Sequence, residues 1–277
     1  MDNAQQVEYW NGPAGERWAR LQDTLDRSLA SISEGFIPFA GAKPGQRLLD
    51  IGCGCGTLTL TLAQAVQPKG AAAGIDISQP MLSVARARAQ AVSADVPFIA
   101  ADASTYDFQP TFDLVVSRFG VMFFAEPAQA FRNIRRALVN GGTLAFVCWR
   151  SPVENAWASV PMAAAMPLLP PQEPADPLAP GPFAFADQAR VESIVDNAGF
   201  KHIHIEKFDG HMDMGATIAD AVDQSLSIGP LARAAAELDE AVRAKLRDAV
   251  AKALEPYKTA KGVFPPAACW FVRARND

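Results

Sequence analysis

The stretch Arg47-Leu-Leu-Asp-Ile-Gly-Cys-Gly-Cys-Gly-Thr57 decides the fold. Leu48, Leu49 and Ile51 supply an apolar strand, and Asp50 puts a carboxylate at its carboxyl end. Gly52, Gly54 and Gly56 follow with the spacing G-x-G-x-G. Residues without a Cβ take positive φ readily and leave room for a bound molecule. Thr57 then opens an apolar helix (Leu58, Leu62, Val66), whose first amides face the same space. A dinucleotide fingerprint is spaced G-x-G-x-x-G, and a phosphate-binding loop needs Gly-Lys-Ser/Thr. No Lys lies in this turn.

Three further strand ends follow in order. Ala71–Ile77 reads as a strand ending in Asp76, with Ser78 as helix N-cap and Pro80 in the first turn. Asp76 comes 22 residues after Gly54, near where doubly wound folds grip a ribose with an acidic side chain. Val96–Asp102 is a third strand, again ending in Asp, and Phe112–Ser117 is a fourth. Leu144–Trp149 is a fifth, after the turn Asn140-Gly-Gly142.

The ordered set Asp50–Gly56, Asp76, Asp102 and Phe112–Ser117 resembles the class I methyltransferases that use S-adenosylmethionine (SAM). The likeness runs roughly from Gln5 to Arg150 and is to the ubiquinone/menaquinone-biosynthesis type, which acts on small molecules. It implies an α/β, Rossmann-like fold: a seven-stranded, mostly parallel sheet with an antiparallel last strand. An N-terminal helical lid and a helical insertion before the last strand would be added. It also implies SAM as cofactor, S-adenosylhomocysteine as product, and a set of site residues. Asp50, Gly52, Cys53, Gly54 and Thr57 would surround the methionine end, with Asp50 toward its ammonium and its carboxylate at the helix N-terminus after Gly56. Asp76 would hold the ribose, with Ile77 and Met81 beside it. Asp102 and the Ala103 amide would meet the adenine, and Ser117 and Arg118 would pass beneath the sulfonium. Cys55 departs from the pattern, because Thr, Ser or Ala is more usual there.

Composition agrees with a small-molecule enzyme. The chain has 277 residues and is 49% hydrophobic, enough for a sizeable core. Its net charge is −5 and no long basic run occurs, which argues against a nucleic-acid partner. Cys53, Cys55, Cys148 and Cys269 have neither metal nor disulfide spacing, and no metal is expected. Free thiols suit a reducing cytoplasm. Neither a signal peptide nor a membrane-spanning run is read.

Three textures divide the chain. Residues 1–43 form the lid, with Trp18, Leu21, Leu25, Leu29 and Ile32 at helical spacing in one amphipathic helix. Residues 44–150 are the SAM-binding core. Residues 151–277 complete the sheet. Within them 151–186 is a proline-rich segment, with eight prolines from Pro161 to Pro182. This density predicts a stiff covering loop rather than regular structure. A sixth strand is read at Phe200–Phe208, with His202 and His204 on one face. Two helices at 216–256 form a cap or a homodimer surface, and Ala268–Ala274 closes the sheet.

The function expected is methyl transfer from SAM to a small, largely apolar or aromatic acceptor, at oxygen in preference to nitrogen or carbon. Tyr9, Trp10, Met122, Phe123, Trp149, Trp157 and Phe185 would form the substrate pocket. His211, just past the sixth strand, is the candidate general base, and Arg118 could orient an anionic or phenolic acceptor. Two other readings keep the same loop, because fold does not fix chemistry. One is a SAM-binding cyclase or lyase, the other a non-catalytic partner. A nicotinamide dehydrogenase is the alternative fold reading.

Overall fold

The structure is a computed structural model and describes residues 3–170, 176–236 and 238–277. Among the described residues nine strands are present: β1 Arg47–Ile51, β2 Ala71–Asp76, β3 Phe98–Ala100, β4 Phe112–Arg118, β5 Leu138–Trp149, β6 Lys201–His211, β7 Lys258–Thr259, β8 Gly262–Val263 and β9 Pro266–Asn276. Seven of them form one sheet in the order β3-β2-β1-β4-β5-β9-β6, and β7 with β8 makes a separate small hairpin. The pairs β1/β2, β1/β4, β2/β3 and β4/β5 are parallel. Strand β9 runs antiparallel to both β5 and β6. This is the sheet the resemblance implies, with the last strand inserted between the fifth and sixth. The order reverses between β1 and β4, and open α/β sheets bind ligands at such a switch point, beyond the carboxyl strand ends.

Among the described residues twelve α-helices surround the sheet: α1 Ala4–Asn11, α2 Pro13–Arg20, α3 Gln22–Ser28, α4 Ala30–Ala40, α5 Thr57–Ala65, α6 Gln79–Ala91, α7 Pro127–Arg135, α8 Ala156–Ala165, α9 Gln188–Asn197, α10 Ile218–Ser227, α11 Pro230–Ala234 and α12 Glu240–Leu254. Both faces of the sheet are covered. Phe271 on β9 packs against Phe36 and Phe39 of α4. Phe146 pairs in register with the next residue, Val272, so it points to the other face. There it meets Phe131 of α7 and Phe185. Ser78 caps α6 by accepting from the Met81 amide, as its position predicts.

Four differences from the sequence reading have physical causes. The lid is four short helices, not one amphipathic helix. A Cβ on Gly15 would fall 1.9 Å from the Trp10 carbonyl oxygen, so the α1–α2 corner closes only around glycine. The proline-rich segment contains the ten-residue helix α8, with Pro161 inside it and buried. The Pro161 ring forfeits one helical hydrogen bond, and burial against the core offsets that loss. Residues 171–175 of that segment, with Pro171 and Pro174, lie outside the described residues. The 216–256 insertion is three helices, because Gly229 and Pro230 break the chain between α10 and α11. Its side chain at Glu237 also lies outside the described residues. Strand β6 extends to His211 and carries a bulge between Lys201 and His204, where His202 has φ +51°. The bulge breaks the simple alternation, and His202 and His204 are both exposed and face the Asp277 and Glu206 carboxylates. Among the described residues no helix is long and apolar enough to cross a membrane.

Candidate active site at the carboxyl ends of the strands

A deep cavity opens where β1, β2 and β4 end, roofed by α1 to α3. The glycine turn forms its floor. Gly52 has φ +65°, and a Cβ there would lie 2.7 Å from Gly120 Cα, so two backbone segments touch at this point. Gly56 is packed beneath Phe98, outside the cavity wall. Gly54 differs: the nearest atom to an added Cβ is Met81 Sδ at 3.7 Å. Gly54 is therefore the glycine whose missing side chain leaves open space.

Three carboxylates line one side of the cavity: Asp50, Asp76 and Asp102. Asp76 is held by the turn itself. Its Oδ2 accepts from the Gly54 amide at 2.8 Å and its Oδ1 from the Ser78 amide at 2.8 Å. Burial raises its carboxyl above the ordinary range, and these amides pull the other way. Each oxygen keeps a second lone pair. Asp102 accepts from the Ser104 amide at 2.8 Å, and Ala103 lies beside it in the wall. Asp50 is almost completely buried and accepts from Thr59 Oγ1 at 2.6 Å. Its other oxygen, Oδ1, is buried with no partner among the described residues. Burial lifts the Asp50 carboxyl to about 7, against the Thr59 hydroxyl and the Arg118 charge. An orphaned buried oxygen in a cavity is what a cationic ligand group would satisfy.

Arg118, at the end of β4, lines the same cavity and donates to Ser33 Oγ at 2.6 Å. Burial lowers its pKa, while the charges of Asp26 and Asp50 raise it. The cavity wall thus carries a guanidinium near an unsatisfied carboxylate, which suits a ligand bearing both an anion and a cation. Cys53 and Cys55 also line it; burial pushes the Cys55 thiol up to about 12 and Cys53 well above its usual value, so both stay protonated.

The remaining wall is aromatic and apolar. Trp10 sits edge-on to both Trp18 and Phe123. Trp149 stacks face to face on Phe119, with centroids 4.1 Å apart, and leans on Trp157 at 4.8 Å. Phe119 has φ +64°, a conformation costly for a bulky residue, held by its amide to the Val147 carbonyl.

The structure brings most of the sequence-chosen residues together here. Asp50, Gly52, Cys53, Gly54, Thr57, Asp76, Ile77, Met81, Asp102, Ala103 and Arg118 line the cavity, as do Trp10, Met122, Phe123, Trp149 and Trp157. Four do not. Ser117 is fully buried below the floor, where its hydroxyl donates to the Ile51 carbonyl, because strand alternation turns it away. Phe185 is in the core between Phe131 and Phe146. Tyr9 is on the outer side of the lid, under the Arg233 guanidinium. His211 is exposed and sits edge-on to Phe264, outside the cavity wall. It ends the edge strand β6, and β9 separates that strand from β5. Thr57 lines the cavity, but its hydroxyl is engaged by Asp26, Gln22 and Arg88.

Other wall residues were not chosen from sequence: Leu25, Leu29, Phe119, Met212, Ile228 and Gly229. Leu25 and Leu29 showed as an apolar helix stripe, but such a stripe does not say whether it covers core or ligand. Met212, Ile228 and Gly229 sit in connections with no periodicity.

Comparison with known proteins agrees with this geometry. Residues 48–142 match the family model described as "Methyltransferase domain". Over those residues the chain matches a methyltransferase domain, and its sheet has the fold of class I methyltransferases. The ubiquinone/menaquinone biosynthesis C-methyltransferase UbiE of Ectopseudomonas mendocina is 31% identical over 144 residues, covering 50% of this chain and 56% of that one. The aklanonic acid methyltransferase DauC of a Streptomyces species is 33% identical over 150 residues, covering 53% and 60%. The chain thus spans little more than half the length of these curated relatives. Phosphoethanolamine N-methyltransferase 2 of Haemonchus contortus, solved in complex with SAM, superposes with a TM-score of 0.62 at 18% identity. That match covers 100% of this chain and 60% of the other, and it shows the shared fold.

Proposed function

We propose that this protein is a SAM-dependent methyltransferase acting on a small, largely apolar or aromatic acceptor. One observation carries the reading: a single cavity joins the charged strand ends Asp50, Asp76, Asp102 and Arg118 to the aromatic wall of Phe119, Trp149 and Trp157. The first group suits an amino acid joined to a nucleoside, and the second suits a flat acceptor. Asp50 Oδ1 would take the ammonium and Arg118 the carboxylate of the methionine end. Asp76 would hold the ribose hydroxyls with its free lone pairs, and Asp102 with the Ala103 amide the adenine.

When bound, SAM supplies an activated methyl that passes to a nucleophile by in-line displacement and leaves a thioether. The chain's part is to orient the acceptor and exclude water. Among the described wall residues there is no His, Lys, Tyr or Glu, and the three Asp carboxylates are assigned here to the cofactor, so a base from the protein is not part of this reading. The acceptor would bring its own free lone pair or an acidic proton. The C-methyltransferase and acid-acceptor names of the two relatives keep carbon and oxygen both in play as the receiving atom, and the chain is read as acting in the cytoplasm.

Calorimetry with SAM, S-adenosylhomocysteine and NADH tests the cofactor. Micromolar binding of the first two and none of the third is expected. Asp76→Ala should weaken SAM binding by roughly 10- to 100-fold, since it removes charge-assisted hydrogen bonds. Labelled SAM with phenol, carboxylic acid, amine and thiol panels then reads the acceptor. Product formed without label transfer would favour a cyclase or lyase.

A further inference from the structure

The helix α10 carries a polar atom that no contact among the described residues satisfies. Gln224 is only 8% exposed, and its Oε1 is buried without a hydrogen-bond partner. Which end of the amide is orphaned follows from its neighbour. Ser28 Oγ donates its single proton to the Thr24 carbonyl at 2.8 Å. It therefore offers Gln224 only a lone pair, and the amide must turn its NH₂ toward it, at 2.8 Å. Oε1 is left as an acceptor in a dry setting, where an unmet carbonyl is costly.

Gln224 lines a small void with Trp157, Ala158, Pro161, Met214 and Leu231. Three of this void's residues, Trp157, Met212 and Ile228, also line the main cavity. The void lies directly behind the aromatic wall, and its size of about 20 Å³ suits a hydroxyl or an N–H.

We propose that Gln224 is a specificity-determining residue, whose Oε1 accepts a hydrogen bond from a hydroxyl or N–H on an otherwise apolar aromatic acceptor. This rests on the acceptor site being the aromatic half of the main cavity. Such a group is discriminating because the analogue lacking the donor leaves Oε1 unmet. Ser225 is the one other polar residue among the void's described lining, and its hydroxyl proton is spent on the Ala221 carbonyl at 2.8 Å.

The test uses matched probes that differ only in the donor: 2-naphthol against 2-methoxynaphthalene, and indole against 1-methylindole. Binding to the full chain is measured by calorimetry, with and without S-adenosylhomocysteine. The wild type should prefer the donor-bearing member of each pair by about tenfold. Gln224→Met, close in shape but with no strong acceptor, should bind both members of each pair alike. Equal binding of each pair to the wild type, or no binding of any probe, overturns the proposal. So does a donor preference that survives in Gln224→Met, which would place the discriminating acceptor on another residue. The wild-type comparison stands even if the variant fails to fold. If S-adenosylhomocysteine does not bind, the methyltransferase reading fails, whereas the probe pairs still report on Gln224.

Discussion

Asp50 shows how one residue carries both a structural cost and a ligand preference. Its carboxyl is raised by burial to about 7 from 3.8, and the groups facing it are Thr59, Arg118 and Asp76. The sign follows directly. Between about pH 4 and 7 the folded chain binds a proton at Asp50 that the unfolded chain has released, so this residue's contribution to stability falls as pH rises through that window. A ligand ammonium beside Oδ1 favours the ionised form, so binding expels the proton. SAM affinity should therefore drop by up to about tenfold per unit as pH falls below 7. Asp50→Asn should flatten the profile between pH 5.5 and 8. Calorimetry in two buffers of different ionisation enthalpy checks this, and proton release that persists in Asp50→Asn would refute it.

At the scale of elements, the lid is fastened to the nucleotide site by a compact polar network. Asp26 of α3 meets Arg88 of α6 at 2.9 Å and accepts from Thr57 Oγ1 at the start of α5. Gln22 donates to both Asp26 and Thr57, and Arg88 reaches the Cys55 carbonyl in the glycine turn. A second seam runs from Asn11 to the Ile77 carbonyl and the Gln79 amide, and from Ser78 Oγ to the Trp10 carbonyl. These contacts cross the cavity's roof, so a ligand beneath must wait for them to part. Breaking the first network should cost about 1–2 kcal/mol, or roughly 5- to 30-fold in lid opening. Asp26→Asn and Arg88→Gln should each speed the release of S-adenosylhomocysteine in stopped-flow measurements. The double variant should add little to either, because the two residues serve one contact.

Across the whole molecule, the two faces of the sheet divide the work. The face bearing Phe146 is closed by Phe131 and Phe185, and all three are fully buried. Phe185→Ala should cost roughly 3–5 kcal/mol by leaving a core cavity. Its signature would be a lower melting temperature with the acceptor KM unchanged. A shifted KM at unchanged stability would instead place Phe185 in the pocket. Trp157→Ala makes the contrast, because its ring lies in the wall shared by the main cavity and the void beneath Gln224. It should raise acceptor KM by more than tenfold, read from steady-state kinetics with the best acceptor of the panel, while SAM binding stays near the wild-type value.

The sequence by itself determined the strand ends and what they carry. Asp50, the glycine turn, Asp76 and Asp102 are legible because each follows a short apolar strand, and parallel strands deliver their last residues to one edge. Local pattern also predicted the Ser78 cap, and the antiparallel last strand followed from the family resemblance. Only the tertiary structure decided which apolar residues face ligand and which face core. Phe185 and Trp157 come from the same proline-rich segment and are equally apolar, yet one is core and the other is wall. His211 lies at a strand end as the acidic residues do, but its strand is at the edge of the sheet. Thr57 opens a helix at the ligand, yet Asp26 and Arg88 claim its hydroxyl. Leu25, Leu29 and Gln224 meet the site or its margin only because α3 and α10 fold back over the sheet, and those are contacts between residues far apart in the chain that no local pattern encodes.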